Sequence, residues 1–296
     1  MYQTDRIKVV FFSGTGGVKR IAETFEKEIR NRRIAPILCN IDSSQKSKKD
    51  CFTDPGVTSA DVIVLLFPVH AFDAPEPVYD WIKHADLHKK QVAVISVSAG
   101  GEVWPNTGAR NNCCKAMEQG GAAIIYEYMM CMPSNWVFPV DDHTSMWLIK
   151  VIPDKVNRIL DDILSGNVRR TAFKKGFIRT QITYLEKRSA KNFAKKLMIE
   201  GTCTGCGLCA DNCPIGNIDM KDHRPVFKDG CIMCFRCVYE CPCHVIKSKS
   251  FMVLKNGYRL SEIEKRMQGE VLRPVEKCCR GFMWKAVRNY LLNKDI

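Results

Sequence analysis

The stretch RIKVVFFSGTGGVKR, Arg6 to Arg20, sets the reading of the first half of the chain. An apolar run stops at a loop of serine, threonine and glycine, and an amphipathic segment follows. That order of strand, glycine loop and helix is repeated downstream in looser form. Short apolar runs at Ile7–Phe12, Ile34–Cys39, Val62–Phe67, Val92–Val97 and Ala122–Tyr128 read as strands. Amphipathic stretches at Lys19–Arg30, Pro75–His84, Asn106–Glu118 and Ser145–Leu164 read as the helices between them. Five strands alternating with helices predict an α/β unit, a doubly wound five-stranded parallel sheet over residues 1–165.

The loop itself, Ser13 to Val18, restricts the ligand. No Gly-Lys-Ser/Thr follows at Walker A distance, and Lys19 stands where a dinucleotide fingerprint has its third glycine. What remains is a hydroxyl-and-glycine loop at a helix N-terminus, where free backbone N–H groups and the helix dipole favour a single phosphate. A glycine-rich turn with no ligand is the competing reading. Ligands in such sheets sit outside the carboxyl ends of the strands. That directs attention to FPVHAFDAP after the third strand, with Pro68, Val69, His70 and Phe72, and to VSAGGEVW after the fourth, with Ser98, Ala99, Gly100 and Gly101. Residues 132–136 follow the fifth strand and are candidates for the edge of the site.

From Arg169 to Met198 the chain turns basic, and residues 166–200 read as a helical linker. Thr183 followed by Glu186 fits a capping box, and Ala190, Phe193, Ala194, Leu197 and Met198 recur at helical spacing. Residues 251–296 form a basic tail, helical near Phe282–Leu292, with no catalytic signal. The opening residues lack a signal-peptide core, and VIVLLF is too short to span a bilayer. A cytoplasmic protein without membrane attachment is expected.

Residues 201–250 hold a repeat. CTGCGLCADNCPIGNI and CIMCFRCVYECPCHVI agree in every cysteine and proline of the shared pattern, offset by 28 residues. Nine of the sixteen cysteines fall here, eight of them at the repeat spacing, an uneven use that points to metal rather than disulfides. Each copy reads C-x-x-C-x-x-C-x-x-x-C-P. Three thiolates three residues apart can wrap one face of a cubic cluster, and the proline turns the chain away after the fourth. Tetrahedral zinc also accepts C-x-x-C pairs and is the competing reading.

The repeat resembles the two-cluster bacterial ferredoxins over its whole length. That resemblance implies a small α+β domain with two 4Fe-4S clusters and crossed ligation: Cys203, Cys206, Cys209 and Cys241 on one, Cys231, Cys234, Cys237 and Cys213 on the other. The glycine loop resembles that of flavodoxins, S/T-x-T-G-x-T, at Ser13, Thr15 and Gly16, with Gly17 between and Val18 in place of the last hydroxyl. The resemblance implies FMN, with one phosphate hydrogen bond fewer, worth about 1 kcal/mol. In the same resemblance, an aromatic residue of the 68–72 loop packs on the flavin ring and the small residues 98–101 let backbone approach it.

Together, residues 5–248 resemble the flavodoxin-like/two-cluster ferredoxin fusion proteins of anaerobes, the EFR-family ferrodoxins. The resemblance implies an electron carrier relaying electrons among FMN, two clusters and an external partner. An FMN-dependent reductase of a small molecule, fed by the clusters, is the alternative, with His70 and His143 as its available acid–base groups. The formal charge of +13 falls to about +7 once FMN and both clusters are counted. A basic holoprotein favours an acidic redox partner. No basic–aromatic RNA-binding motif or helix-turn-helix signature points to nucleic acid. Cys39, Cys51, Cys113, Cys114, Cys131, Cys278 and Cys279 lack cluster spacing. Cys243 lies beyond the last proline, where the first copy has Ile215, and is expected to be a small buried side chain beside a cluster.

Overall fold

The computed structural model describes residues 5–42, 62–171, 177–254 and 257–294. Five parallel strands, β1 (Arg6–Phe11), β2 (Ala35–Asn40), β3 (Val62–Pro68), β4 (Gln91–Ser98) and β5 (Ala123–Cys131), pair in the order β2-β1-β3-β4-β5. All four pairings are parallel, and this is the flavodoxin-like winding. Alternate residues of β1 and β3 serve two separate cores. Ile7, Val9, Phe11, Val62, Val64 and Leu66 face one, while Val10, Phe12, Ile63, Leu65 and Phe67 face the other. Burial on both faces explains why the strands read as continuous apolar runs.

On the first face lie α1 (Gly17–Asn31) and a later helix, α5 (Ile152–Leu164); on the second lie α2 (Glu76–His84) and α3 (Asn111–Gln119). The expected helix over Ser145–Leu164 is two helices, α4 (Asp142–Lys150) and α5, meeting at Val151. Pro153 in the first turn of α5 has no N–H to continue the preceding helix. Asp141 caps α4 by accepting from the Thr144 N–H at 3.1 Å. The stretch expected as helix from Asn106 opens as a 3-10 turn, Asn106–Gly108, before α3.

Helix α6 (Phe177–Phe193) crosses to the cysteine-rich segment. Thr183 sits six residues inside it, so the Thr-x-x-Glu spacing there is two neighbours on one helix face and not a cap. Lys174 and Lys175 of the basic stretch lie outside the described residues, as does Cys51. The apolar stripe continues past the helix: Phe193 and Ala194 are buried, but Leu197 and Met198 belong to β6 (Leu197–Ile199). That strand pairs antiparallel with β9 (Ile246–Ser248), and pairing across 49 residues overrides helical periodicity.

Within the cysteine-rich segment, short helices α7 (Leu208–Asp211) and α8 (Arg236–Glu240) each close a cysteine loop. Between them β7 (Ile218–Lys221) and β8 (Arg224–Phe227) form a hairpin. The tail adds α9 (Leu260–Arg266), α10 (Val275–Cys278) and α11 (Lys285–Leu291). Tyr239, Tyr258, Leu260, Val287 and Tyr290 join the same core as α1 and α5. The second half is therefore packed mainly on that face of the sheet, while Ile232 reaches the core on the other face. Among the described residues no helix is long and apolar enough to cross a membrane.

Candidate functional site

A cavity of about 960 Å³ opens at the carboxyl ends of β1, β3, β4 and β5. That volume is at the upper end of the roughly 300–1,000 Å³ of small-molecule sites. Of the sequence candidates, Ser13, Thr15, Gly17, Val18, Pro68, Val69, His70, Phe72, Ser98, Ala99 and Gly100 line it. Gly16 and Gly101 do not. Gly16 instead starts α1 in the left-handed region at φ 91°, with open space where a Cβ would stand. Gly101, at φ 77°, lies against the tail, where a Cβ would come within 3.1 Å of Ala286.

The glycine loop has the features of an anion cradle. No acidic residue occupies the first turn of α1, and no side chain caps Gly16. The Ser13 hydroxyl accepts from the Lys19 N–H at 3.1 Å, and the Thr15 hydroxyl accepts from Asn135 Nδ2 at 2.9 Å. Each hydroxyl therefore keeps its own hydrogen to donate. Free N–H groups, two hydroxyl donors and the dipole suit a phosphate.

The loop after β3 is held tightly. His70 and Asp73 exchange two backbone hydrogen bonds, both 3.0 Å, around Ala71 and Phe72 at φ 51° and 56°. Two consecutive left-handed non-glycine residues store strain on the order of 1 kcal/mol each, the kind of distortion that collects at binding sites. Asp73 accepts from the Tyr79 hydroxyl at 2.7 Å and from Lys187 Nζ at 2.6 Å, which fixes α6 over this loop. Burial pushes the His70 imidazole down to about 4, so it is neutral at pH 7. Its Nδ1, like Nε1 of Trp136, is buried without a partner. Both rings line the cavity. An unsatisfied buried polar atom costs about 1–3 kcal/mol unless a ligand or water meets it. A polar, planar ligand fits that demand.

The opposite walls come from parts of the chain that strand–loop reasoning does not reach. The second cysteine loop supplies Cys231, Ile232, Met233 and Phe235, α6 supplies Glu186 and Lys187, and the tail supplies Tyr258 and Trp284. Tyr258 donates to Pro133 O at 3.1 Å and Tyr239 to Asn135 O at 2.8 Å, tying both segments to the loop after β5. The tail, which carries no catalytic signal in its sequence, reaches the site through long-range packing with no local pattern.

The cysteines of the repeat gather in two places, with Cys243 beside the first of them. Cys203, Cys206, Cys209 and Cys241 surround a small cavity of about 20 Å³. Around the second group, burial pushes the thiols of Cys231, Cys234 and Cys237 up, Cys234 to about 12, and the neighbouring Cys213 adds to the rise in all three. Burial likewise raises Cys209, with Cys203 and Cys206 as its charged neighbours. Backbone N–H groups of Asn217 and Met233 point at the sulfurs of Cys213 and Cys231, at 3.2 and 3.3 Å. Four thiols gathered where burial opposes ionisation need a cationic centre to become thiolates.

Residues 195–242 match the 4Fe-4S dicluster domain family. The match spans both cysteine groups. In the N-terminal half the chain is similar to flavodoxin 1 of Bacillus cereus, 16% identical over 53% of this chain and 97% of that one, TM-score 0.38. It is also similar to general stress protein 14 of Treponema denticola in complex with FMN, 9% identical over 54% and 99%, TM-score 0.41. A third is the Megasphaera elsdenii flavodoxin, 18% identical over 51% and 98%, TM-score 0.35. No curated protein matches the chain. The strand order carries the fold assignment, and the chain has the build of a flavodoxin–ferredoxin fusion.

Cys243 is exposed, contrary to the expected burial. Residues 242–244 turn at the surface, with His244 at φ 51°, and the Cys243 sulfur lies 3.8 Å from the Thr204 hydroxyl.

Proposed function

We propose that the chain is an electron carrier that binds one FMN in the large cavity and two 4Fe-4S clusters on the crossed cysteine sets, and relays electrons to an acidic partner protein. One observation carries the reading. The cavity lined by the glycine loop and by His70 and Phe72 shares a wall with Cys231 of the second cysteine group. A flavin there would touch the loop that holds a cluster, with no intervening domain motion.

Bound FMN supplies exchange of electrons in pairs or singly, and the clusters supply single-electron steps. The chain's own residues do the rest. Ser13, Thr15 and the start of α1 hold the phosphate, His70 stays neutral beside the ring, and residues 98–100 admit it closely. Two complete four-cysteine runs, each ending in Cys-Pro, favour 4Fe-4S clusters over zinc. Arg188 and Lys191, exposed where α6 lines the cavity, favour the acidic partner.

The test is an anaerobic preparation analysed for iron, sulfide and flavin. About eight irons and one FMN per chain are expected. Reducing the flavin and following cluster bleaching then reads the relay, with a rate independent of protein concentration. A flavin-free preparation that still transferred electrons at the same rate, or bleaching that scaled with concentration, would sink the proposal.

A further inference from the structure

Arg236 lies in the second cysteine run, between Cys234 and Cys237, yet its guanidinium is spent on the glycine loop more than 200 residues earlier. The side chain is 9% exposed. Nε donates to Gly14 O at 3.0 Å and Nη2 donates to Ser13 O. Nη1 donates to Asp42 Oδ2 at 3.1 Å and to Asn212 O, beside Cys213, at 2.8 Å. Five guanidinium donors in a rigid fork suit such a cluster of acceptors. Asp42 balances the buried charge.

The consequence for the loop follows from peptide geometry. In a trans peptide the carbonyl and the next residue's N–H point in opposite directions. A guanidinium that takes the carbonyls of Ser13 and Gly14 turns the N–H groups of Gly14 and Thr15 to the far side. Ser13, Gly14 and Thr15 line the large cavity. The approach is also close: a Cβ on Gly14 would stand 3.1 Å from the carbonyl oxygen of Cys234, tighter than ordinary contact.

We infer that Arg236, carried by the dicluster segment, is the positioning residue that orients the glycine-loop amides for the flavin phosphate. This rests on the FMN reading. Phosphate recognition then spans both halves of the chain, and because binding couplings are reciprocal, phosphate in the loop in turn favours the docked cysteine segment. The flanking cysteines and Asn212 hold Arg236 in place, so the anchor depends on that segment being folded.

The experiment separates this role from general support. Arg236→Met and Arg236→Lys would be prepared anaerobically, depleted of flavin with iron retained, and titrated with FMN and with riboflavin by fluorescence quenching. Arg236→Met leaves Asp42 without its counter-charge; Arg236→Lys keeps the charge but cannot hold both carbonyls, and serves if the first variant fails to fold. Expected is at least about tenfold weaker FMN binding with riboflavin, which has no phosphate, bound as by the unchanged protein. Unchanged FMN binding, or equal loss of both flavins, overturns the inference. An unchanged protein that binds riboflavin and FMN equally also overturns it, and one that binds neither overturns the flavin reading itself.

Discussion

The two cysteine runs share spacing and differ in surroundings. In the first, Cys206 is exposed, and the left-handed positions between cysteines are glycines, Gly205 at φ 67° and Gly207 at φ 77°. In the second, Cys234 is buried and the equivalent positions are Met233 at φ 54° and Phe235 at φ 60°. A non-glycine residue there costs about 1–2 kcal/mol. The strain is offset by contacts that the first run lacks. Phe235 meets Phe193 edge-on at 5.3 Å and Tyr239 at 5.8 Å, and Met233 lines the large cavity. The same backbone loop thus serves once as a solvent-facing centre and once as an interface. Geometry separates them: the second run lines the large cavity, and the first lies nearer the surface.

Removing a ligand from each set tests that division most severely. Cys237→Ala is expected to lose about four irons and to loosen the dicluster segment from the sheet, seen as lost flavin and early proteolysis between the halves. Cys206→Ala is expected to lose about four irons while flavin content stays at the wild-type level. Equal flavin loss in the two variants would erase the distinction between inner and outer sets.

Phe235 tests the strain argument. Phe235→Gly relieves about 1 kcal/mol of left-handed strain but forfeits about 3–5 kcal/mol of buried aromatic packing. A net loss of about 3 kcal/mol in denaturant unfolding is expected. A stabilised variant would show that the loop, and not the packing, dominates.

How much of this was legible in sequence depends on the range of the cause. Strands β1 to β5 lie within a few residues of their apolar runs, because burial on both faces of β1, β3 and β4 writes itself into local composition, while the half-buried edge strand β2 keeps a shorter run. Loop positions such as Thr15 and His70 followed from strand ends. Arg236, Tyr258 and Trp284 did not, since each reaches its partners through tertiary packing. For Arg236 a signal existed: aligned on the first run, its place is held by Leu208, which is 44% exposed, so a cation replaces an apolar residue between two matched cysteines. The Thr183 misreading has the opposite origin. A capping spacing is also a helix-face spacing, and only the true helix start tells them apart.

The loop after β3 carries an acid-sensitive group. His70, beside the dicluster loop, titrates from its ordinary 6.5 down to about 4 in the folded chain because burial disfavours the imidazolium. Between those values the unfolded chain binds more protons, so this contribution is complete above pH 6.5 and is lost as pH falls toward 4. About 2 kcal/mol is expected to have gone by pH 5. Urea midpoints at pH 7 and pH 5 for the protein and for His70→Leu check this. A variant whose midpoint falls as steeply as the parent's would place the acid sensitivity elsewhere.

The smallest effect belongs to the one cysteine that breaks the symmetry of the runs. Cys243 has no counterpart in the first copy, where Ile215 stands, and it lines the small cavity together with Cys203, Cys206, Cys209 and Cys241. Five thiols therefore border a site for four. Position in the run decides between the last two: Cys241 precedes the proline at the spacing of Cys213, whereas Cys243 follows it on an exposed turn. Cys243→Ala is expected to keep all of about eight irons, and Cys241→Ala to lose about four. Equal iron loss from both would assign the ligand wrongly, and retention of iron by Cys241→Ala that disappears in the double variant would make Cys243 the substitute ligand of the outer cluster.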